Sequence, residues 1–403
     1  MTTRRPCTAP THLDGNASRA QRGGSLVGVM IGVTIGMLAL LAVAQALTAS
    51  QAHRRQTMGG SDAQQVGAVA LWQLSRELRM AGAGLQAAPF AWGCNLRAGR
   101  DGETLLPRAA MPPPFDTLPG ALRLQPIVVR DGGGTQPDQL VAMGGRPAAG
   151  NVPMALNVLT PTTIGTGASV GFAPGDLLLA TAASGVEDCF IGQVDSSYAA
   201  PAGVPAPSVL PTGPAGAPFN LPAALAGLAG DRDWMLLNLG ATPSFSAFGI
   251  SATAGLVQLD LLAPRSVPVP IAENVINLQV LLGVDDGSGG GTADDNVIDG
   301  WVDPGTAPFD FATLAGGASA TAQLRVKALR VALVVRASER GGDSPATIAL
   351  FTDVPARTLS VPVADRSYRY QVYDAVVPLR EQWIALCSEQ RRAAGIPKNG
   401  ACG

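Results

Sequence analysis

From Ser25 to Leu47 the chain carries no charged residue. The run SLVGVMIGVTIGMLALLAVAQAL is about as long as the ~20 residues a helix needs to cross a bilayer core. Lipid offers the backbone no hydrogen-bond partners, so such a segment must close its own bonds as a helix. Arg4, Arg5, Arg19 and Arg22 precede it against one acid, Asp14. That bias holds the amino-terminal end in the cytoplasm and sends the chain beyond Ala52 across the membrane. A cleavable secretory signal has an apolar stretch of only about 7–15 residues. Ala42, Ala44 and Ala46 imitate its cleavage site, but the run is too long. A plain single-pass anchor fits the length and the charge, but it does not account for the residues just before the run.

Those residues are Gln21-Arg22-Gly23-Gly24-Ser25-Leu26-Val27-Gly28-Val29-Met30. They resemble the class III signal of type IV pilins and type II secretion pseudopilins: a basic leader, a glycine, then an apolar helix at once. The resemblance implies cleavage by a membrane prepilin peptidase between Gly23 and Gly24, with the helix kept on the mature protein. It also marks two departures. Gly24 stands where the family usually has phenylalanine, and Gly28 where it has glutamate at the fifth mature position. A glutamate in lipid is costly unless paired, and in the family it meets a neighbouring subunit's amino terminus. Without it, this chain is expected to be a scarce subunit rather than the repeating one.

Gly59-Gly60 is expected to interrupt the helix, with Ser61 or Asp62 capping a new turn. Leu71, Leu74, Leu78, Ala81 and Leu85 then recur at three and four residues and mark one apolar face. Too few heptads follow for a coiled coil, so this face is expected to pack on a sheet. The stretch LWQLSRELRMAGAGL is similar to the "LxxELRxAG" segment of minor pilins of the PilW type. Leu74, Glu77, Leu78, Arg79, Ala81 and Gly82 carry the match, and Cys94 follows.

Beyond Gln86, apolar and β-branched runs alternate with Gly/Pro/Asp clusters, which predicts strands. They are ALRLQPIVV, DQLVAM, DLLLATAA, CFIGQV, WMLLNLG, GLVQLDLLA, NVINLQVLLGV, LRVKALRVALVVRAS, RTLSVPV and YRYQVYDAVVPLR. Long helices do not alternate with them, which argues against a doubly wound α/β fold. Residues 199–231 are rich in Pro, Ala and Gly and read as a surface insertion. Several runs resemble PilW-type segments in order: DLLLATAASGVEDCFIGQV with Asp188 and Cys189, ENVINLQVLLGVDD, LRVKALRVALVVRAS and RSYRYQVYDAVVPLR.

The expected fold is α+β: a leader (1–23), an amino-terminal helix (24–85, spanning at about 25–47), and an antiparallel β-rich head (86–403) ending in a tail (384–403). Five cysteines are present. Four remain once the segment holding Cys7 is removed, an even number that suits disulfides in an exported chain, with buried free thiols as the alternative. The resemblance implies a Cys94–Cys189 bond, and Cys387 and Cys402 are expected to close the tail.

Catalytic signals are sparse. His12 and His53 are the only histidines, so the head lacks the commonest general base and metal ligand. Gly167-Ala168-Ser169-Val170-Gly171 fits G-x-S-x-G, but neither a helix pattern nor a nearby histidine supports a nucleophile elbow. Asp285, Asp286, Asp294, Asp295 and Asp299 surround GSGGG. A solvated acidic hairpin is expected there rather than a calcium loop, because the spacing is broken and no closing glutamate is present. The only lysines, Lys327 and Lys398, do not follow glycine, so there is no P-loop. A net charge of −2 gives no nucleic-acid footprint.

The chain therefore reads as a non-catalytic minor pilin that needs no cofactor or metal. It would sit in the inner membrane with its head in the periplasm, or at a pilus tip or the cell surface. Its partners would be other minor pilins and the major pilin, through the helix. A type II secretion pseudopilin or adhesin-like subunit, or a membrane-anchored periplasmic enzyme, are the alternatives.

Overall fold

The computed structural model describes residues 25–147, 152–160, 162–168, 171–183, 187–199, 208–212, 218–219, 233–316, 320–340, 344–353 and 357–393. It divides into two compact units, Met1–Arg55 and Gln56–Gly403. One α-helix, Leu26–Arg79, runs through Gly59 and Gly60 without a break. The expected interruption and cap at Ser61 or Asp62 are thus overturned. Each glycine costs a helix about 1 kcal/mol relative to alanine, and no proline comes after the pair to force a stop. A pair of glycines inside a long helix with one packed face is a local weakness rather than an end.

The second unit is α+β. An eight-stranded sheet has the order Glu103–Leu106, Asn95–Arg100, Asp188–Gln193, Leu177–Ala182, Trp234–Gly240, Met154–Leu159, Thr163–Thr166, Ser208–Pro211. A five-stranded sheet has the order Val269–Glu273, Gly255–Asp260, Ser244–Ile250, Gln139–Gly144, Ile127–Arg130. A four-stranded sheet has the order Gly300–Val302, Val275–Val284, Val326–Arg340, Tyr368–Pro378. A hairpin pairs Thr347–Phe351 with Arg357–Ser360. Among the described strand pairs only Asn95–Arg100 with Asp188–Gln193 is parallel.

Side-chain alternation explains the layering, since successive residues of a strand face opposite sides. In Val275–Val284, Leu278, Val280 and Leu282 join one core while Leu281 joins another. The first core also takes Val331 and Leu333, and the second Ala332 and Val334. The hairpin covers the second through Leu350, Phe351 and Leu359. The first is closed by the helix face Ala63, Ala70, Leu74, Leu78 and Ala81, together with Leu140, Phe248 and Leu256 of the five-stranded sheet. The far face of that sheet, with Val141, Phe245 and Leu259, meets the eight-stranded sheet through Leu179, Ile191 and Leu237. The five-stranded sheet is thus a middle layer with both faces buried.

The segment LWQLSRELRMAGAGL accounts for how the helix is seated. Leu74 and Leu78 are fully buried, each contributing roughly 1.5–3 kcal/mol. Glu77 accepts a hydrogen bond from Ser244 Oγ at 3.1 Å. Gly82 and Gly84 take φ of 83° and 73°, left-handed values that glycine adopts without penalty. The turn they make is stitched to the neighbouring strand by Gly82 N to Met143 O (2.8 Å) and Gly145 N to Ala83 O (2.6 Å). Further up the helix, the Tyr373 ring packs against Gly67: a Cβ there would fall 2.1 Å from the ring. The Tyr373 hydroxyl donates to Gln371 Oε1 at 2.5 Å and lies 3.2 Å from Ala63 O.

The tail expected at 384–403 begins as a helix, Arg380–Ala393. Ala385 and Leu386 pack on Trp92 and Leu324. Only 199, 208–212 and 218–219 of the insertion at 199–231 are described. Ser208–Pro211 forms an edge strand paired with Thr163–Thr166.

Gly67→Ala should destabilise the head by about 1–3 kcal/mol through overpacking. In a Tyr373→Ala background the same substitution should cost far less. Chemical denaturation of the four proteins of this cycle measures the difference, and equal costs in both backgrounds would refute the close approach.

Candidate functional site

Within the first unit the helix is bare. Leu26–Gln51 is a 26-residue span whose most apolar 18-residue stretch has mean hydropathy 2.6 and is not buried. At 1.5 Å per residue it measures about 39 Å, enough for a ~30 Å hydrocarbon core with some tilt. Large apolar side chains point outward along all of it, Leu26 at 78%, Met37 at 69% and Leu40 at 71% exposure among them. Each such side chain forgoes roughly 1.5–3 kcal/mol if left in water. The surface therefore requires an apolar covering, either lipid or other helices. Gly28, Gly32 and Gly36 recur every fourth residue with open space where a Cβ would stand. Small residues at that spacing let helix backbones approach closely. In the sequence Gly28 stands out for the missing glutamate, which masks its place in this repeat.

Cys94 and Cys189 are disulfide-bonded, with Cα atoms 5.7 Å apart and both side chains buried. Cys189 lies beside Leu96 in the one parallel strand pair, and Arg97 pairs with Asp188 at 2.9 Å. The bond ties the segment after the helix turn into the eight-stranded sheet. Cys387 is also disulfide-bonded, to a partner outside the described residues. Cys402 lies outside them, as do Gly23, Gly24 and Ser169. The cleavage site and the G-x-S-x-G serine therefore have no structural description.

The acidic loop is not a solvated hairpin. Asp295 is exposed, but Asp285 is fully buried. Asp285 lies 3.7 Å from the buried ammonium of Lys327, and Asp294 pairs with Arg325 at 2.9 Å. Asp299 accepts the Gly287 N–H at 2.6 Å. The chain's own cations and amides occupy these carboxylates. Among the described residues no group of three or more His, Cys, Asp or Glu is placed to hold a metal ion.

A second buried charge cluster lies where the hairpin meets the sheets. Arg357, 8% exposed, reaches Asp138 at 3.4 Å and Asp131 at 3.6 Å, and it bonds Asp303 and Gln279. Asp138 also accepts the N–H groups of Gly132 (2.9 Å) and Val280 (2.8 Å). Burial pushes its carboxyl up to about 7, while these amides and Arg357 pull it down. Sequence patterns missed both clusters because their members lie far apart in the chain and meet only after the sheets assemble.

An apolar helix long enough to span a membrane, followed by a helix-on-sheet β-rich head, makes an α+β protein. A family model described as type IV pilus-assembly protein W matches residues 256–381 and supports assignment of the chain to a PilW-like family. The matched stretch, less than a third of the chain, contains the whole four-stranded sheet and its hairpin. No curated protein and no solved structure matches. The matched family is described as one of type IV pilus assembly.

The buried groups of the head set three expected outcomes. Arg357→Met should cost about 3–5 kcal/mol, because it strands buried Asp138 and its neighbours without a cation. Asp138 has a folded-state pKa above its ordinary value, so its contribution is fully present below about pH 4 and is lost as pH rises through about 7. The stability difference between wild type and Asp138→Asn should accordingly move in favour of the variant from pH 4 to 7, read by urea titrations at each pH. Replacing both Cys94 and Cys189 with serine releases a closure of 95 residues. It should cost at most about 4–5 kcal/mol on the chain-entropy scale, measured the same way.

Proposed function

We propose that this chain is a non-catalytic minor pilin that takes part in assembling or initiating a type IV pilus from the inner membrane. The observation that carries the reading is the bare apolar helix Leu26–Gln51. The family match at the other end of the chain supports it. The helix would lie in the inner membrane before assembly and against the helices of other minor pilins or the major pilin after it. The head would then stand on the periplasmic side. Prepilin peptidase would cut between Gly23 and Gly24 and leave the helix on the mature protein. Cys387 and Cys402 would close the tail, tethering the end of the helix Arg380–Ala393.

Gly28 bears on the place in the filament. A glutamate there would cost about 3 kcal/mol in the middle of a bilayer and less nearer its surface, unless a neighbour's amino group paired with it. This chain lacks that handle for repeated stacking, which suits a subunit at a filament end or in the priming complex.

Mass spectrometry of the amino terminus should find a mature chain starting at Gly24. A start after Ala46, or an intact leader in cells with active prepilin peptidase, would refute the pilin reading. Deleting the gene should reduce piliation, while sheared filaments should contain far less of this protein than of the major subunit. Near-equal abundance would leave the fold but remove the end-or-initiator role.

A further inference from the structure

Neither anchoring nor assembly uses the arrangement at the mouth of the strand pair Val275–Val284 and Val326–Arg340. Lys327 is one of two lysines among 28 Lys and Arg residues, and its side chain is fully buried. Arginine would hold a charge there with a smaller hydration loss, but only lysine can become a free amine nucleophile. Its Nζ lies 2.8 Å from Asn296 Oδ1 and 3.7 Å from Asp285 Oδ2. Asp285, also fully buried, accepts the backbone N–H of Asn296 at 2.7 Å. That bond pins the asparagine beside the amine. Asn296 takes φ 68°, which turns the loop back over the strand end. The terminal helix holds the arrangement from above: Trp383 Nε1 donates to Lys327 O at 3.2 Å, and Gln390 Nε2 to Asp294 O at 2.7 Å.

We propose that Lys327 and Asn296 become joined by an intramolecular amide bond, with Asp285 carrying the proton between them. The neutral amine of Lys327 attacks Cγ of Asn296. The Nζ–Cγ bond forms, Asp285 takes a proton from Nζ and gives it to Nδ2, and the Cγ–Nδ2 bond breaks. One ammonia leaves, and nothing is oxidised or reduced. Two groups held in contact react as though at an effective concentration of up to roughly 10⁵–10⁸ M. Burial supplies the free base: it lowers Lys327 to about 8, against the opposing pull of Asp285, Asp294 and Asp295. About one amine in ten is then uncharged at pH 7. Arg325, the nearby cation, is engaged with Asp294. The product is a covalent brace across the four-stranded sheet that no reductant opens.

The test uses the full-length protein extracted from membranes, reduced and digested with trypsin. Linked chains are lighter by the mass of one ammonia. Trypsin fails to cut after Lys327, so the peptide Ser266–Arg325 is recovered joined to Val326–Arg330. Asn296→Ala and Lys327→Arg each restore the full mass and abolish the joined pair. Asp285→Asn should leave the chain unlinked, and a joined pair surviving in it would overturn the proton-carrying role. A wild-type chain of full mass, cut after Lys327, overturns the proposal. So does loss of ammonia by closure of Asn296 on its own backbone, because trypsin would then still cut after Lys327.

Discussion

The head depends on one contact, the burial of the face Ala63, Ala70, Leu74, Leu78 and Ala81 against two sheets at once. The five-stranded sheet presents Leu140, Phe248 and Leu256 to it, and the four-stranded sheet presents Val280, Val331 and Leu333. Without the helix, both sheets would expose a fully apolar face. The residues that seat it are small where a neighbouring ring lies close, as at Gly67 beside Tyr373, and large where space must be filled. Further toward the amino terminus the same helix changes character and its side chains face outward on every side. One secondary-structure element thus meets two solvents, a protein core and an apolar covering. Its residues follow that division, with an amphipathic stripe in one stretch and no charge in the other.

The interior of the head is not purely apolar. Arg357 with Asp138, and Lys327 with Asp285, place charges in the interior, with half-exposed Asp131 and Asp303 at the edge of the first cluster. Removing such charges from water costs several kcal/mol per ion, and their attraction returns that only with good geometry. Both clusters lie at seams, the first between hairpin and sheets, the second between the loop Asp285–Asp299 and the terminal helix. At a seam an apolar contact tolerates sliding, whereas a carboxylate held by two backbone amides and a guanidinium does not. The clusters act as registration points for surfaces that could otherwise pack in more than one way.

Much of this was legible in the sequence because it follows local periodicity. The apolar run, the stripe from Leu71 to Ala81 and the runs such as NVINLQVLLGV each declare themselves within ten or twenty residues. Each of the ten runs named from the sequence contains or overlaps a strand. Among the strands that escaped notice, Val269–Glu273 contains Pro270 and borders the five-stranded sheet, a place where a missing N–H does no harm, whereas Ser244–Ile250 is central to that sheet. The glycine pair at 59–60 misled because propensity is weak where the surrounding helix is favourable. The helix Arg380–Ala393 was hidden by the strand pattern directly before it. The charge clusters were illegible for a different reason: Asp138 and Arg357 are separated by 219 residues, and no local pattern encodes that meeting.

The Tyr373–Ala63 contact spans 310 residues of chain. The face that closes the core is therefore made first and the last strand of its cover at the far end of the chain. At a synthesis rate of about 5–20 residues per second, the helix waits roughly 15–60 s for the strand Tyr368–Pro378 to emerge. During that interval the face has the five-stranded sheet but lacks its last cover, the strand Tyr368–Pro378, and contacts of such long range also form slowly once available. The molecule thus carries an intrinsic vulnerable period, set by the order of its elements along the chain and not by the stability of the finished fold. A chain cut short before Tyr368 never leaves that period, and the stretch around Gly67 stays without the Tyr373 ring that packs on it.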